Sequence, residues 1–251
     1  MPKFLTNITL VLSPIGIWAL LATMLPRYLF PSPLQVMQTF LTSWEILILD
    51  ATITLTESLG GLVVALCISF LASVMFYFNP SLERLGMPYA IAIKSIPVVA
   101  MAPLLVLWFG NGMVGKVVLA ALICFFPLLV GLSDGFKSLP RELRYLAAVW
   151  SQDRGPTFRL LSLPFSVPYL FSALKVAAPL ATVGAVVAEF SGADRGLGHA
   201  ILIAAYRADA ELLFAGIIGA SLIGLGLFAI VGCLETRFLR KMRIGRVSGT
   251  F

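Results

Sequence analysis

Residues Lys137 to Pro168 read KSLPRELRYLAAVWSQDRGPTFRLLSLPFSVP. This is the longest strongly charged stretch in an apolar chain. It holds Lys137, Arg141, Arg144, Arg154 and Arg159 against Glu142 and Asp153. Hydrophobic runs long enough to cross a bilayer flank it on both sides. Within it, Leu143, Leu146, Ala147 and Trp150 recur at i, i+3, i+4 and i+7, which puts them on one face of a helix. Pro140 suits the first turn of that helix and Ser138 its cap. Gly155-Pro156 ends one piece, and Pro164 and Pro168 punctuate the entry to the next apolar run. A short amphipathic helix on a basic loop, tethered to the membrane at both ends, is a surface for a second protein. The same features also describe an ordinary cytoplasmic loop resting on anionic lipid headgroups.

Working outward, composition sets the class. Of 251 residues, 59% are hydrophobic and only 12% charged, where a soluble domain carries about 25% charged residues. With a mean hydropathy of +0.98, the chain is expected to be an all-α, polytopic membrane protein. Its net charge of +6 does not point to nucleic acid, because the basic residues gather beside apolar runs and not on a stripe or an aromatic platform. Cys67, Cys124 and Cys233 lie inside apolar runs without CxxC spacing and read as buried, unpaired thiols. His199 alone cannot build a metal site and reads as a surface residue.

Six apolar runs read as spans. They are Ile8–Leu25, Leu59–Phe78, Ala90–Phe109, Met113–Leu132, Tyr169–Glu189 and Leu213–Leu234. Between the first two, Tyr28 to Glu57 is mixed and reads as an extracytoplasmic loop and an interfacial helix, with Trp44 at headgroup level. Two units follow: residues 1–58 as a first span with this segment, and 59–251 as a core. The core holds a cytoplasmic loop at 134–168 and a basic tail at 235–251. Phe190 to Glu211 is polar enough to leave the membrane, with a short surface helix at Leu202–Ala205. Lys137, Arg141, Arg144, Arg154 and Arg159, the tail's Arg237, Arg240, Lys241, Arg243 and Arg246, and Lys3 and Arg84 fall on one side. Only Arg27, Arg195 and Arg207 fall on the other. The positive-inside rule therefore places the long loop and both termini in the cytoplasm.

Polar residues near the spans are candidates for a translocation path, because charge at membrane depth is costly and often functional. They are Lys94, Ser95, Ser172, Lys175 and Glu189. The lysines also lie close enough to span ends to snorkel, and Glu189 also fits helix capping or a pair with Arg195. Pro97 and Pro103 free backbone carbonyls within the third span, which suits a helix lining a cavity. Gly110 to Val117, GNGMVGKV, is one residue short of a phosphate loop. Val117 stands where magnesium needs a hydroxyl, and the stretch lies between two spans. Any ATP-driven function must draw its energy from a partner.

Ile96 to Gly112, IPVVAMAPLLVLWFGNG, with Lys116 after it, and Val186 to Gly198, VVAEFSGADRGLG, resemble the permease subunits of bacterial ABC importers. The likeness is to the branch serving sulfonates, taurine, nitrate and thiamine-pyrimidine or riboflavin-type compounds, and it runs from about Leu55 to the tail. That family carries a cytoplasmic loop of the form EAAxxxG followed by Leu-Pro and a second proline. Aligned on Leu163-Pro164 and Pro168, Tyr145 stands at the glutamate, Leu146 and Ala147 at the alanines, and Ser151 at the glycine. The motif departs from the family pattern at three of these four positions.

The resemblance implies a six-helix type I importer domain with no catalytic site of its own. It implies no cofactor on this chain, with ATP and magnesium held by the partner ATPase. The implied partners are two ATP-binding cassette subunits, a second permease (this chain or a paralogue), an extracytoplasmic substrate-binding protein and a small polar solute. Arg141, Glu142, Leu143, Arg144, Tyr145, Leu146, Ala147, Trp150, Ser151 and Arg154 would couple to the ATPase. An ATP-independent transporter or channel and a membrane scaffold remain the alternatives. The first would need ion-coupled residues and often shows inverted repeats, neither of which is evident.

Overall fold

The computed structural model describes the backbone of residues 2–150 and 153–247, with side chains for 13–147, 149 and 153–241. These residues form helices and no strand: α1 (Pro2–Met24), α2 (Pro33–Thr42), α3 (Trp44–Phe78), α4 (Pro80–Lys94), α5 (Val98–Phe109), α6 (Met113–Lys137), α7 (Arg141–Trp150), α8 (Arg154–Thr157), α9 (Leu163–Glu189), α10 (Leu197–Tyr206) and α11 (Ala210–Val247). A π-helical turn, Phe158–Ser162, joins α8 to α9.

Four helical segments are long and apolar enough to cross a membrane: Trp44–Phe78, Met113–Lys137, Arg154–Glu189 and Ala210–Lys241. The pair α4 and α5 adds a fifth crossing if counted as one bent span. Most of the first expected run, Ile8–Leu25, lies in α1, whose side chains are described only from Ser13 onward.

α6 is the central helix, with α3 and α9 packed along it. Small residues permit this contact. Gly61 of α3 lies against Ala120, and a methyl at Gly184 of α9 would stand 2.6 Å from the Ala120 Cα. Ala177, Ala178, Ala181 and Ala185 of α9 are fully buried. Close backbone approach of this kind is how apolar helices associate where lipid competes equally for apolar side chains. Serines add polar ties. Ser69 donates to the Phe125 carbonyl at 3.0 Å, and Ser73 to the Leu129 carbonyl at 3.1 Å.

Several boundaries differ from expectation. The Tyr28–Glu57 segment holds one short separate helix, α2, but from Trp44 onward it is continuous with the span as α3, so the expected division at residue 58 falls inside a helix. The cause is that Asp50, Thr54 and Glu57 share one face and are buried against the protein, not offered to headgroups. The third span is broken. α4 and α5 meet at 93° across residues 95–97. Pro97 lacks an N–H and disfavours helix in the residue before it. In contrast, Pro164 and Pro168 break nothing, because both lie within α9. The π turn before them, closed by Leu163 N–H on the Phe158 carbonyl, widens the helix where the prolines withdraw donors. The charged loop therefore shrinks to residues 138–153. α10 is longer than the expected surface helix and packs on α11. α11 continues helically through the basic tail to Val247. Cys124 is buried, whereas Cys67 and Cys233 are exposed on helix surfaces.

Candidate functional site

Three regions carry the polar chemistry. The first is an open cleft of about 570 Å³ between the α4/α5 bend, α6 and α9. α6 contributes Phe126, Val130 and Asp134 at i, i+4 and i+8, and α9 contributes Tyr169, Ser172 and Val176. Lys94, the last residue of α4, places its ammonium 4.4 Å from the Phe126 ring centroid, a cation–π contact. Ile96 and Val98 line the cleft on either side of Pro97. Lys94 and Ser172 thus both line the cleft, from α4 and α9, beside the bend at Pro97.

The other path candidates lie elsewhere. Ser95 turns back to donate to its own helix at the Ile91 carbonyl, 2.9 Å away. Pro103 is exposed on α5. Lys175 forms an ion pair with Glu235 of α11. Asp134, which the sequence reading overlooked, is exposed in the cleft. Its signal was available, since it continues the Phe126–Val130 face of α6.

The second region is a buried cluster where α3, α6, α9 and α10 meet. Glu189 is fully buried. Its Oε1 accepts from the Thr54 hydroxyl at 2.7 Å and its Oε2 from the Gly198 N–H. Thr54 in turn accepts from the Leu197 N–H at 2.9 Å, and Asp50 from the Gly196 N–H at 3.1 Å. The first amides of α10, which no helix can satisfy internally, are thereby capped by the oxygens of buried side chains. Lys116 pairs with Glu57 at 2.9 Å, both largely buried. The Glu57 carboxyl adjoins that of Glu189, and its Oε2 finds no hydrogen-bond partner among the described residues. Glu189 therefore has an acceptor role in holding α10, and it is Lys116, not Arg195, that supplies the nearby cation. Sequence reasoning noted Lys116 as part of the family resemblance but gave it no role. Asp50, Thr54 and Glu57 at i, i+4 and i+7 were the readable signal.

The third region is α7. Ala147 is buried and Leu143 half-buried against the bundle. Tyr145, Leu146 and Val149 face outward, at 73%, 64% and 89% exposure. The expected apolar face is thus split. Leu146 belongs to the outer side, joined by Val149, which the heptad-like count missed. Arg141 and Glu142 are exposed. Arg144 and Arg154 bond to carbonyls of their own chain. The Trp150 side chain and Ser151 lie outside the described residues. Ser138 does not cap α7; it ends α6, donating to the Gly135 carbonyl at 2.7 Å. No cluster of His, Cys, Asp or Glu able to hold a metal occurs among the described residues.

An all-α bundle of membrane-length helices, with a broken helix pair beside an open cleft and a short amphipathic helix outside the spans, defines a multi-pass membrane permease. The chain belongs to the family of binding-protein-dependent transport system inner membrane components, which matches residues 65–244. It is 33% identical to a probable ABC transporter permease protein of Haemophilus influenzae over 89% of this chain and 92% of that protein. It is 35% identical to the formylaminopyrimidine transport permease protein ThiX of Halalkalibacterium halodurans, over 89% of this chain and 90% of ThiX. It is 36% identical to the riboflavin transport system permease protein RibX of Chloroflexus aurantiacus, over 86% of this chain and 81% of RibX.

The family stretches quoted above acquire physical roles. Ala102 and Leu105 of the proline-containing stretch are buried against Leu119 and Ala188. The glycines of GLG admit the Glu189 carboxylate to the backbone.

Proposed function

We propose that this chain is the membrane-spanning subunit of an ATP-driven importer that carries a small, planar nitrogen heterocycle of the pyrimidine or flavin type. The observation that carries this reading is the cleft. Its walls are apolar and aromatic, from Phe126, Tyr169 and Val176, and its charge is one Lys94 and one Asp134. Flat heterocycles gain from aromatic faces, while a paired donor and acceptor orient ring substituents. A nitrate or sulfonate path would favour a surplus of cationic donors. The names of the pyrimidine and riboflavin permeases above support the same class.

In this reading two permeases, copies of this chain or this chain and a relative, enclose the path. An extracytoplasmic binding protein delivers solute, and two ATPase subunits, which hold ATP and magnesium, dock from the cytoplasm. Both termini and α7 lie on the cytoplasmic side, supported by the distribution of Lys and Arg. Tyr145, Leu146 and Val149 form the ATPase-docking face. This chain binds no cofactor and performs no chemistry.

The test is co-purification of the tagged chain with its genomic neighbours, followed by ATPase assays in lipid. Recovery of an ATPase and a secreted binding protein, with hydrolysis stimulated by a pyrimidine or flavin and not by an alkanesulfonate or nitrate, is the expected result. Stimulation by the anions alone would overturn the solute class. Solute flux by the purified chain without any ATPase would overturn the ATP-driven reading.

A further inference from the structure

α7 is held to the bundle in an unusual way. Among its described side chains, Leu143 and Ala147 are the ones turned to the bundle, and beneath it lies a cavity of about 420 Å³ lined in part by Phe76, Phe136, Ala147 and Thr157. The firm connections are polar, and they end on helix termini. The last carbonyls of a helix lack intrahelical donors. Here guanidinium groups supply them. Arg144 Nη2 donates to the carbonyl of Lys137, the last residue of α6, at 3.3 Å and to that of Leu139 at 3.0 Å. Arg154 Nη1 donates to the carbonyl of Phe78, the last residue of α3, at 3.3 Å. Cations at these positions also complement the helix dipoles. Lys137 is tied to Glu83 in the first turn of α4. Asp134, one turn before Lys137 on α6, faces the cleft.

We propose that Arg144 and Arg154 are positioning residues: Arg144 clasps α7 to the carbonyl end of α6, and Arg154, at the start of α8, holds that helix to the carbonyl end of α3. A push on the outward face of α7 then moves α6 with it, and α6 delivers the displacement to the cleft wall at Asp134. This rests on the reading of α7 as the ATPase-docking helix. It differs from an ATPase-contact role for these arginines, because their donors are engaged within the chain, with an apolar outer face left for the partner.

Two readouts separate the roles. In the isolated chain, hydrogen exchange of the amides of residues 141–147 should quicken about tenfold or more in Arg144→Met/Arg154→Met, because the ties that limit local opening are gone. In the assembled transporter, the same variant should retain its ATPase on co-purification yet hydrolyse several-fold more ATP per solute moved. Arg144→Lys, which keeps a cationic donor, should recover most of the coupling. Unchanged exchange would overturn the clasp. Loss of ATPase retention with normal exchange would overturn it too, and would make the arginines docking contacts. Should the unaltered chain retain no ATPase, the docking reading fails, and the exchange measurement still decides whether the clasp exists.

Discussion

The carboxylate of Glu189 rests on the amide of Gly198, with Gly196 beside it, so one buried acid fixes the start of α10. Gly196 has φ +121°, a region that side-chain-bearing residues rarely enter. A methyl there would also overlap the Glu189 carboxyl, and one at Gly198 would stand 2.5 Å from the Val186 carbonyl.

Gly196→Ala should therefore destabilise the fold. Backbone strain of this kind costs about 1–3 kcal/mol. In a chain of this size each kcal/mol shifts Tm by about 2–4 °C. Gly226→Ala is the control, since nothing lies within 4 Å of a methyl at that glycine. Thermal unfolding of the detergent-solubilised variants measures the difference, and equal melting temperatures would discount the nest.

Lys116 and Glu57 give a second expectation. Removing one member of a buried ion pair leaves a stranded charge, at a cost of about 3–5 kcal/mol, whereas replacing both with apolar residues is often close to neutral. Lys116→Met alone should sharply lower the yield of folded protein. Lys116→Met/Glu57→Leu should recover a large part of it. A double-mutant cycle on apparent Tm checks this. If the double variant were as unstable as the sum of the single ones, the two side chains would not act as a pair.

The outward face of α7 makes a third. Val149→Asp and Tyr145→Ala should each weaken ATPase retention strongly, because buried aromatic and apolar anchors dominate interfaces. Arg141→Ala should change retention by no more than the 0–1 kcal/mol typical of an exposed ion pair, about fivefold at most. Quantified co-purification from lipid nanodiscs reads both. A larger loss with Arg141→Ala than with Val149→Asp would transfer the contact to charge.

What the sequence made legible follows from what periodicity and charge encode. The span-forming runs at Met113–Leu132 and Leu213–Leu234 were visible because a sustained apolar run marks a membrane crossing whether its faces meet lipid or other helices. So was α7, whose apolar spacing from Leu143 to Trp150 falls within the helix, although the expected cap at Ser138 belongs to the end of α6. The continuity of α3 was not, because Asp50 and Glu57 look like interfacial residues unless their partners, Gly196 and Lys116, are known to be close. Those partners lie far away in the chain. Prolines were equally ambiguous. Pro97 breaks a helix and Pro164 does not, since a π turn absorbs the second and nothing absorbs the first. Within the candidate cleft, Lys94 and Ser172 stood out as polar residues near span ends. Asp134 was hidden by its place in a charged stretch that looked like loop. The destination of the arginines on α7 and α8 was illegible, because a guanidinium that will bind a carbonyl of its own chain looks the same as one offered to a partner.

Asp134 is where the proposed solute class is most exposed to test. Its carboxylate and the Lys94 ammonium are the charged groups lining an otherwise apolar cleft, and Lys94 already leans on Phe126. A heterocycle entering between Phe126 and Tyr169 would exchange that cation–π contact, worth about 0.5–2 kcal/mol, for stacking and for a donor to Asp134. Asp134→Asn keeps the shape and removes the charge. It should lower pyrimidine or flavin uptake about ten- to a hundredfold, as expected for one charge-assisted hydrogen bond of 1.5–3 kcal/mol, while basal ATP hydrolysis stays level. Phe126→Leu should lower uptake of the larger, flavin-type ring more than that of a single pyrimidine ring. For an anionic solute the sign reverses: Asp134→Asn would remove repulsion and raise nitrate or alkanesulfonate uptake. Uptake into proteoliposomes, measured for one heterocycle and one anion in parallel, distinguishes the two by the direction of a single change.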